Sequence, residues 1–196
     1  AIAHVRAVDG ALSYETIGGG FPTGICGSGI IDAVAAFLAL GYLDETGAMD
    51  DLKVPADLFM EAEGAPAIRF PDTDVCITQK DIRAVQLAKS AVCSGIETLL
   101  AVAGLRAQDV GRLLIAGGFG SVMEVSSAEA IGLIPPGFSG RIEAVGNAAG
   151  MGAVMQLLSR GMIGKAEKLA RLAETVELST HPVFRDAYIK NMLFPS

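Results

Sequence analysis

The sequence predicts an α/β fold in which a mixed sheet is flanked by helices and carries a small inserted subdomain. Short apolar strands alternate with helical periodicity along the second half of the chain. Glycine-rich turns stand at three junctions that open helices, at residues 24–29, 117–120 and 146–152. The composition, 51% hydrophobic and 19% charged over 196 residues, is that of one domain with a real core and excludes intrinsic disorder.

Each element has its own justification. Residues 2–8 and 12–17 alternate apolar and polar side chains around Asp9-Gly10, a dipeptide suited to the positive φ values of a tight turn, so they predict a hairpin. After Gly18-Gly19-Gly20 and Pro22, residues 27–41 carry Ile30, Ile31, Val34, Phe37 and Leu38 at helical spacing, and Gly41 supplies the stop. The stretch 42–71 is rich in acids and turn formers, with Pro55, Pro66 and Pro71. It reads as an irregular piece with one or two short strands, within an insertion spanning 42–77. Residues 78–103 predict the longest helix, roughly 39 Å at 1.5 Å per residue. Thr78 with Asp81 makes a near capping box, with Asp81 as the capping carboxylate, and Gly104 ends the helix. Ile82, Val85, Val92, Ile96, Leu99 and Leu100 trace its apolar face, and Gly95 marks a bend point. The run 112–116 is apolar on both faces and predicts a central strand in a mainly parallel, doubly covered sheet. A turn at 117–120, a short helix at 127–131, a strand at 141–145 and a small-residue helix at 147–159 follow. Residues 161–196 form a capping segment, with a charged helix near 165–174 and a terminal piece at 181–193. The whole chain, 1–196, reads as part of one domain.

Charge and cysteine usage narrow the chemistry. With 22 acidic and 15 basic side chains the formal charge is −7. The chain has no Lys/Arg-rich run, which argues against nucleic acid or an anionic membrane as partner. The apolar stretches 30–43 and 113–123 are too short to cross a bilayer, and no signal peptide opens the sequence, so a cytoplasmic location is expected. Cys26, Cys76 and Cys93 include no Cys-x-x-Cys pair, so no disulfide framework, zinc site or iron–sulfur cradle is visible, as a reducing compartment would have it. Cys26 reads as a buried small residue. His4 and His181 have no carboxylate at ligand spacing and read as structural or surface residues. The apolar content implies that some surface belongs against a neighbour, so the isolated chain is expected to dimerise or aggregate.

The glycine turns are the candidate sites. Gly24-Ile25-Cys26-Gly27-Ser28-Gly29 leads into a helix whose free N–H groups suit a phosphate oxygen, and it equally suits close packing of helix on strand. It is neither a Walker sequence nor a Gly-x-Gly-x-x-Gly fingerprint. Gly117 and Gly118 lie at the carboxyl end of an apolar strand, where open α/β sheets bind ligands and where a flat ring has room to lie. The third turn, around Asn147-Ala148-Ala149-Gly150, is so poor in large side chains that another backbone is expected close by.

The order of these parts resembles the ATP-binding folds of actin, sugar kinases and heat-shock chaperones. More closely, Pro22 to Asp32, Thr78 to Arg83 with Gln86-Leu87-Ala88-Lys89, Ala116 to Ser121, Ile131 to Pro135 and Gly146 to Ala149 resemble the reductive activators of corrinoid proteins, over nearly the whole chain. The resemblance implies the ribonuclease-H-like half of such an ATPase domain. It also implies an ATP-driven reduction of cob(II)alamin on a corrinoid methyl-transfer protein to cob(I)alamin, with that protein and the rest of the activator's own polypeptide as partners. ATP with Mg2+ is the implied nucleotide, and a 2Fe-2S cluster is implied in an N-terminal domain outside this chain. Adenosine would lie on Gly117, Gly118 and Phe119, facing the Gln86 and Lys89 side of the long helix. Gly27, Ser28 and Gly29 would stand on the phosphate side. The family's Asp-x-Gly-Thr phosphate motif does not occur in this sequence, so no catalytic residue is assigned, and this chain by itself is expected to be inactive. Two other readings are a docking module for the corrinoid protein, without nucleotide chemistry, and a sugar or acyl kinase remnant.

Overall fold

Asp9 and Gly10 both adopt positive φ, +50° and +80°, and fold β1 (Ile2–Val8) antiparallel onto β2 (Ala11–Thr16), as the sequence predicts. This is seen in a computed structural model that describes residues 1–118, 120 and 122–195. The chain then enters α1 (Gly27–Ala39), which packs on β1. The contact is intimate. A Cβ built on Gly29 would lie 2.6 Å from the Ile2 carbonyl oxygen, so only glycine lets the helix come this near. Gly41, at φ +72°, ends the helix, with Tyr42 N–H donating to the Phe37 carbonyl. Phe37 anchors the core beneath, its ring centroid 6.2 Å from that of Phe70 and 6.3 Å from that of Tyr42.

The stretch 42–71 holds two short strands, as the sequence predicts, and a third follows it. β3 (Phe59–Ala62), β4 (Ala65–Arg69) and β5 (Cys76–Thr78) form an antiparallel sheet in that order. β5 runs straight into α2 (Gln79–Ala103), whose start is the expected capping box: Thr78 N–H donates to the Asp81 carboxylate at 2.8 Å, and Asp81 N–H donates to the Thr78 hydroxyl. Gly104, left-handed at φ +66°, closes it. Gly95 lies inside an uninterrupted helix, against Leu178, and marks no break. Ile82 is buried, but Val92 and Leu99 point to solvent at 48% and 53% exposure. Val85, Ile96 and Leu100 pack against the core as the periodicity predicts, and the buried surface of α2 also includes Gln86, Lys89, Ser90, Cys93, Ser94 and Thr98. Helical periodicity finds a face, but the position of α6 (Pro182–Lys190), which packs along α2, decides which face is covered. By length and composition α2 could cross a bilayer, unlike the shorter runs considered from sequence; here that polar surface is buried in the protein.

The parallel sheet is smaller than expected. β6 (Leu113–Ala116) and β7 (Ile142–Gly146) pair in parallel, and β7 is the sole strand partner of β6 among the described residues. The expectation of a central strand in a mainly parallel, doubly covered sheet is therefore corrected. Leu113 and Ile115 pack against the core, while Leu114 is 51% exposed. A strand apolar on both faces has found cover for one. Between them lies α3 (Val125–Ala130), and α4 (Ala148–Leu158) and α5 (Arg160–Leu172) follow β7. α4 and α5 contact each other and bury no residue. The Gly117 backbone meets the third glycine turn at Gly146, whereas a Cβ at Gly152 would meet nothing within 4 Å.

The close approach of α1 to β1 makes Gly29 a sensitive position. Gly29→Ala is expected to destabilise the chain by about 2 kcal/mol or more in urea denaturation, although alanine's helix propensity alone would favour it by about 1 kcal/mol.

Candidate nucleotide site

The turn after β6 begins with Gly117, which adopts φ +106° and donates its N–H to the Gly146 carbonyl at 2.7 Å. The tips of the two parallel strands are thereby joined. Gly118 is exposed, and a Cβ on it would meet no atom within 4 Å. Gly120 serves packing, since a Cβ there would stand 2.3 Å from Ile115 Cγ2. Among the described residues the turn thus leaves an open floor at the carboxyl end of β6, the location favoured by ligands in α/β sheets. Phe119 lies outside the described residues.

The turn at 24–29 is built for packing. Ile2 N–H donates to the Gly24 carbonyl and Cys26 N–H to the Ile2 carbonyl, which stitches the turn to β1. Ser28 is buried and donates its hydroxyl to the Ala3 carbonyl at 3.1 Å. Gly29 fills the gap against Ile2, and Gly27 is the first residue of α1. Cys26 is half-buried. Burial pushes its thiol up, and contacts with the Ser28 hydroxyl and the Gly29 and Ser28 amides outweigh this, leaving it below the usual value. Of the two readings this turn allowed, close packing is the one its side chains display.

Gln86 and Lys89 are not on an open helix face. Gln86 donates to the carbonyls of Thr46 at 3.0 Å and Met192 at 2.8 Å, and its own oxygen accepts from Arg83 at 2.7 Å. Lys89 is 1% exposed; its ammonium donates to the Leu193 carbonyl and lies 5.0 Å from the Phe194 ring centroid. Ser90 donates to the Tyr188 carbonyl, and Asn191 donates to Ser94 and Glu97. These polar side chains of α2 tie down the C-terminal segment, and neither Gly117 nor Gly118 lines the cavity that Lys89 borders. Burial lowers Lys89 to about 8 and raises the adjacent Cys93 thiol to about 11.

The structure also assembles a group that sequence spacing did not reveal. His4 Nδ1 lies 3.1 Å from the carboxylate of Asp32, a residue 1% exposed, and 4.0 Å from Glu124, the residue preceding α3. Asp32 Oδ1 is buried without a partner among the described residues. The packing of α1 on β1 brings the two together across 28 positions, a structural role for His4 that local spacing does not show. The visible signal was Asp32 itself, a carboxylate inside the apolar run Ile30-Ile31-Asp32-Ala33-Val34. His181 immediately precedes α6.

A strand ending in a bare Gly-Gly turn, a short helix, a parallel strand and a small-residue helix define half of an ATPase domain of the actin, sugar-kinase and chaperone type. The chain matches, over residues 1–196, the family described as the C-terminal domain of RACo, the ASKHA domain, and it belongs to that family. The corrinoid activation enzyme RamQ of Eubacterium limosum is 33% identical over 207 residues, covering 99% of this chain and 35% of RamQ. A solved structure of a reductive activator for corrinoid, iron-sulfur protein superposes with a TM-score of 0.90 at 32% identity, covering 100% of this chain and 32% of that one. The chain spans about a third of the length of these relatives.

Lys89 makes stability depend on pH in a definite direction. Its ionisation lies near 8 in the fold and 10.5 when free. Between those values the unfolded chain binds more protons, so the folded state gains as pH rises. Against Lys89→Met, which lacks this group and keeps Cys93, the wild-type chain is expected to gain about 1 kcal/mol per pH unit above pH 8, measured by urea denaturation at pH 7.5, 8.5 and 9.5.

Proposed function

We propose that this domain is the nucleotide-binding part of an ATP-dependent reductive activator, which returns inactive cob(II)alamin of a corrinoid methyl-transfer protein to cob(I)alamin. The carrying observation is the open floor at Gly117 and Gly118, at the carboxyl end of β6, in a chain whose family relatives are corrinoid activators. The fit to ATP is partial. Gly118 leaves room for a flat ring or sugar, whereas Ser28 and Gly29 are occupied with β1. Among the described residues no group of three or more His, Cys, Asp or Glu side chains could hold a metal ion. In this reading Mg2+ and a 2Fe-2S cluster are held by other parts of a longer activator, where the cluster would supply the single electron and ATP hydrolysis would make its uphill transfer favourable. The role of this chain is to hold the adenosine and to couple its presence to the arrangement of the helices behind the turn. The partners in this reading are the corrinoid methyl-transfer protein and the rest of the activator's own polypeptide, in a cytoplasmic setting.

Gly118 gives a direct test, because among the described residues no atom lies within 4 Å of a Cβ placed there. Gly118→Val in the activator-length protein is expected to lose adenine-nucleotide binding in calorimetric titration while keeping its unfolding midpoint. The 196-residue chain itself is expected to bind ATP with a dissociation constant of about 0.1 mM or weaker, since each lost 1.4 kcal/mol of phosphate contact costs about tenfold. Unchanged binding by the Gly118→Val protein would move the adenosine site elsewhere, and micromolar binding with turnover by the 196-residue chain would overturn the assignment of catalysis to other segments.

A further inference from the structure

Two surfaces of the chain carry charges of opposite sign that the fold leaves unanswered. The first is α5, which buries none of its residues. It carries Arg160, Lys165, Lys168 and Arg171 against Glu167 alone, in a chain whose net charge is −7. Leu169 and Leu172 of the same helix are each 68% exposed. Lys165 and Lys168 stand one helical turn before them, so each leucine has an ammonium at its side. The second surface is a groove of about 500 Å³ between the loop at Phe21 and the turn that joins β4 to β5. Asp57, Asp72 and Asp74 line it, all exposed, together with Phe21, whose ring is 73% exposed. Among the described residues Arg69 is the one cation in its lining, and that guanidinium donates to the Asp57 carbonyl at 2.6 Å. Phe21 also borders a hollow of about 470 Å³ with Ile25 and Val75, so apolar ground lies beside the carboxylates. Neither the four cations of α5 nor the three carboxylates of the groove are in an ion pair among the described residues.

We propose that α5 of one copy of this chain docks in the Phe21 groove of a second copy, with Leu169 and Leu172 against the Phe21 ring and Lys165 and Lys168 toward Asp72 and Asp74. The charges select this pairing over the symmetric ones. Two α5 helices laid together would bring cations to cations, and two grooves would bring carboxylates to carboxylates, whereas helix against groove sets four cations and one carboxylate against three carboxylates and one cation. The two leucines and the ring supply the apolar burial that exposed ion pairs, weak singly, do not. A contact between unlike surfaces is head to tail. Each copy added leaves one α5 and one groove free, so the assembly continues past the dimer as concentration rises. The contact uses neither the Gly117-Gly118 turn nor any bound nucleotide, and it stands whether or not the chain binds ATP.

The test is sedimentation of the 196-residue chain over a concentration series. The mean mass is expected to rise with concentration at about 0.03 M salt and to fall back toward the monomer at about 0.3 M, where screening is stronger. Two charge-altered chains separate the surfaces: Lys168→Glu with Arg171→Glu on the helix, and Asp72→Asn with Asp74→Lys on the groove. Asparagine suits position 72, whose φ is +56°. All four side chains are exposed, and circular dichroism checks that both chains fold. Each is expected to self-associate about tenfold more weakly than the parent, as is Phe21→Ser. An equimolar mixture of the two charge-altered chains is expected to regain association, because the acidic helix of one meets the basic groove of the other. The proposal is overturned if the parent stays monomeric at low salt, if the groove variant associates as strongly as the parent, or if the mixture associates no better than its components.

Discussion

Placing a lysine in the middle of a buried helix face is the constraint around which the first two-thirds of the chain and its C-terminus are arranged. The ammonium of Lys89 cannot reach water, and desolvating it costs several kcal/mol unless polar or aromatic groups surround it. The chain supplies the Leu193 carbonyl and the Phe194 ring, both from its last residues. Holding those two groups in place requires the rest of the segment. Gln86 grips the Met192 carbonyl, Phe194 N–H donates to the Glu45 carbonyl, and Pro195 packs beside Gly132. The segment 192–195 therefore joins α2, the start of the insertion and the connection after α3. α6 packs along α2, and its half-buried side is formed by Phe184, Ala187 and Tyr188.

Beyond β6 the balance changes. Leu157 and Leu158 are more than 80% exposed, and Leu169 and Leu172 are 68% exposed. On the outward side of β6, Leu114 is likewise 51% exposed. The same region ends in the bare Gly117-Gly118 turn. The first part of the chain is closed upon its core, and the last part presents surface.

The glycines show how one residue type answers to different forces. Gly117 is required by backbone conformation, Gly29 and Gly120 by contact with a neighbouring atom, and Gly118 by neither. A glycine with no conformational demand and no described atom near its missing Cβ stands out as a place where something else fits. The three turns look alike in the sequence, and only the atoms opposite each one separate packing from an open floor.

Local chemistry determined the hairpin at Asp9-Gly10, the capping box at Thr78 and Asp81, the stops at Gly41 and Gly104, and the order of strand, Gly-Gly turn and small-residue helix. These depend on residues close in the chain, so the sequence alone carries them. It also carried the family, because that order is itself a string of local signals. What only the tertiary structure decided is which surfaces meet. Val92 and Leu99 follow the helical period but face solvent. Lys89 and Gln86 look like an exposed polar stripe but are buried by residues about a hundred positions away. β6 is apolar on both faces but covered on one. His4 finds Asp32 across 28 positions. Periodicity fixes the angle of a side chain about its own helix or strand, whereas burial depends on where distant segments come to rest, and that is set by the packing of the whole chain.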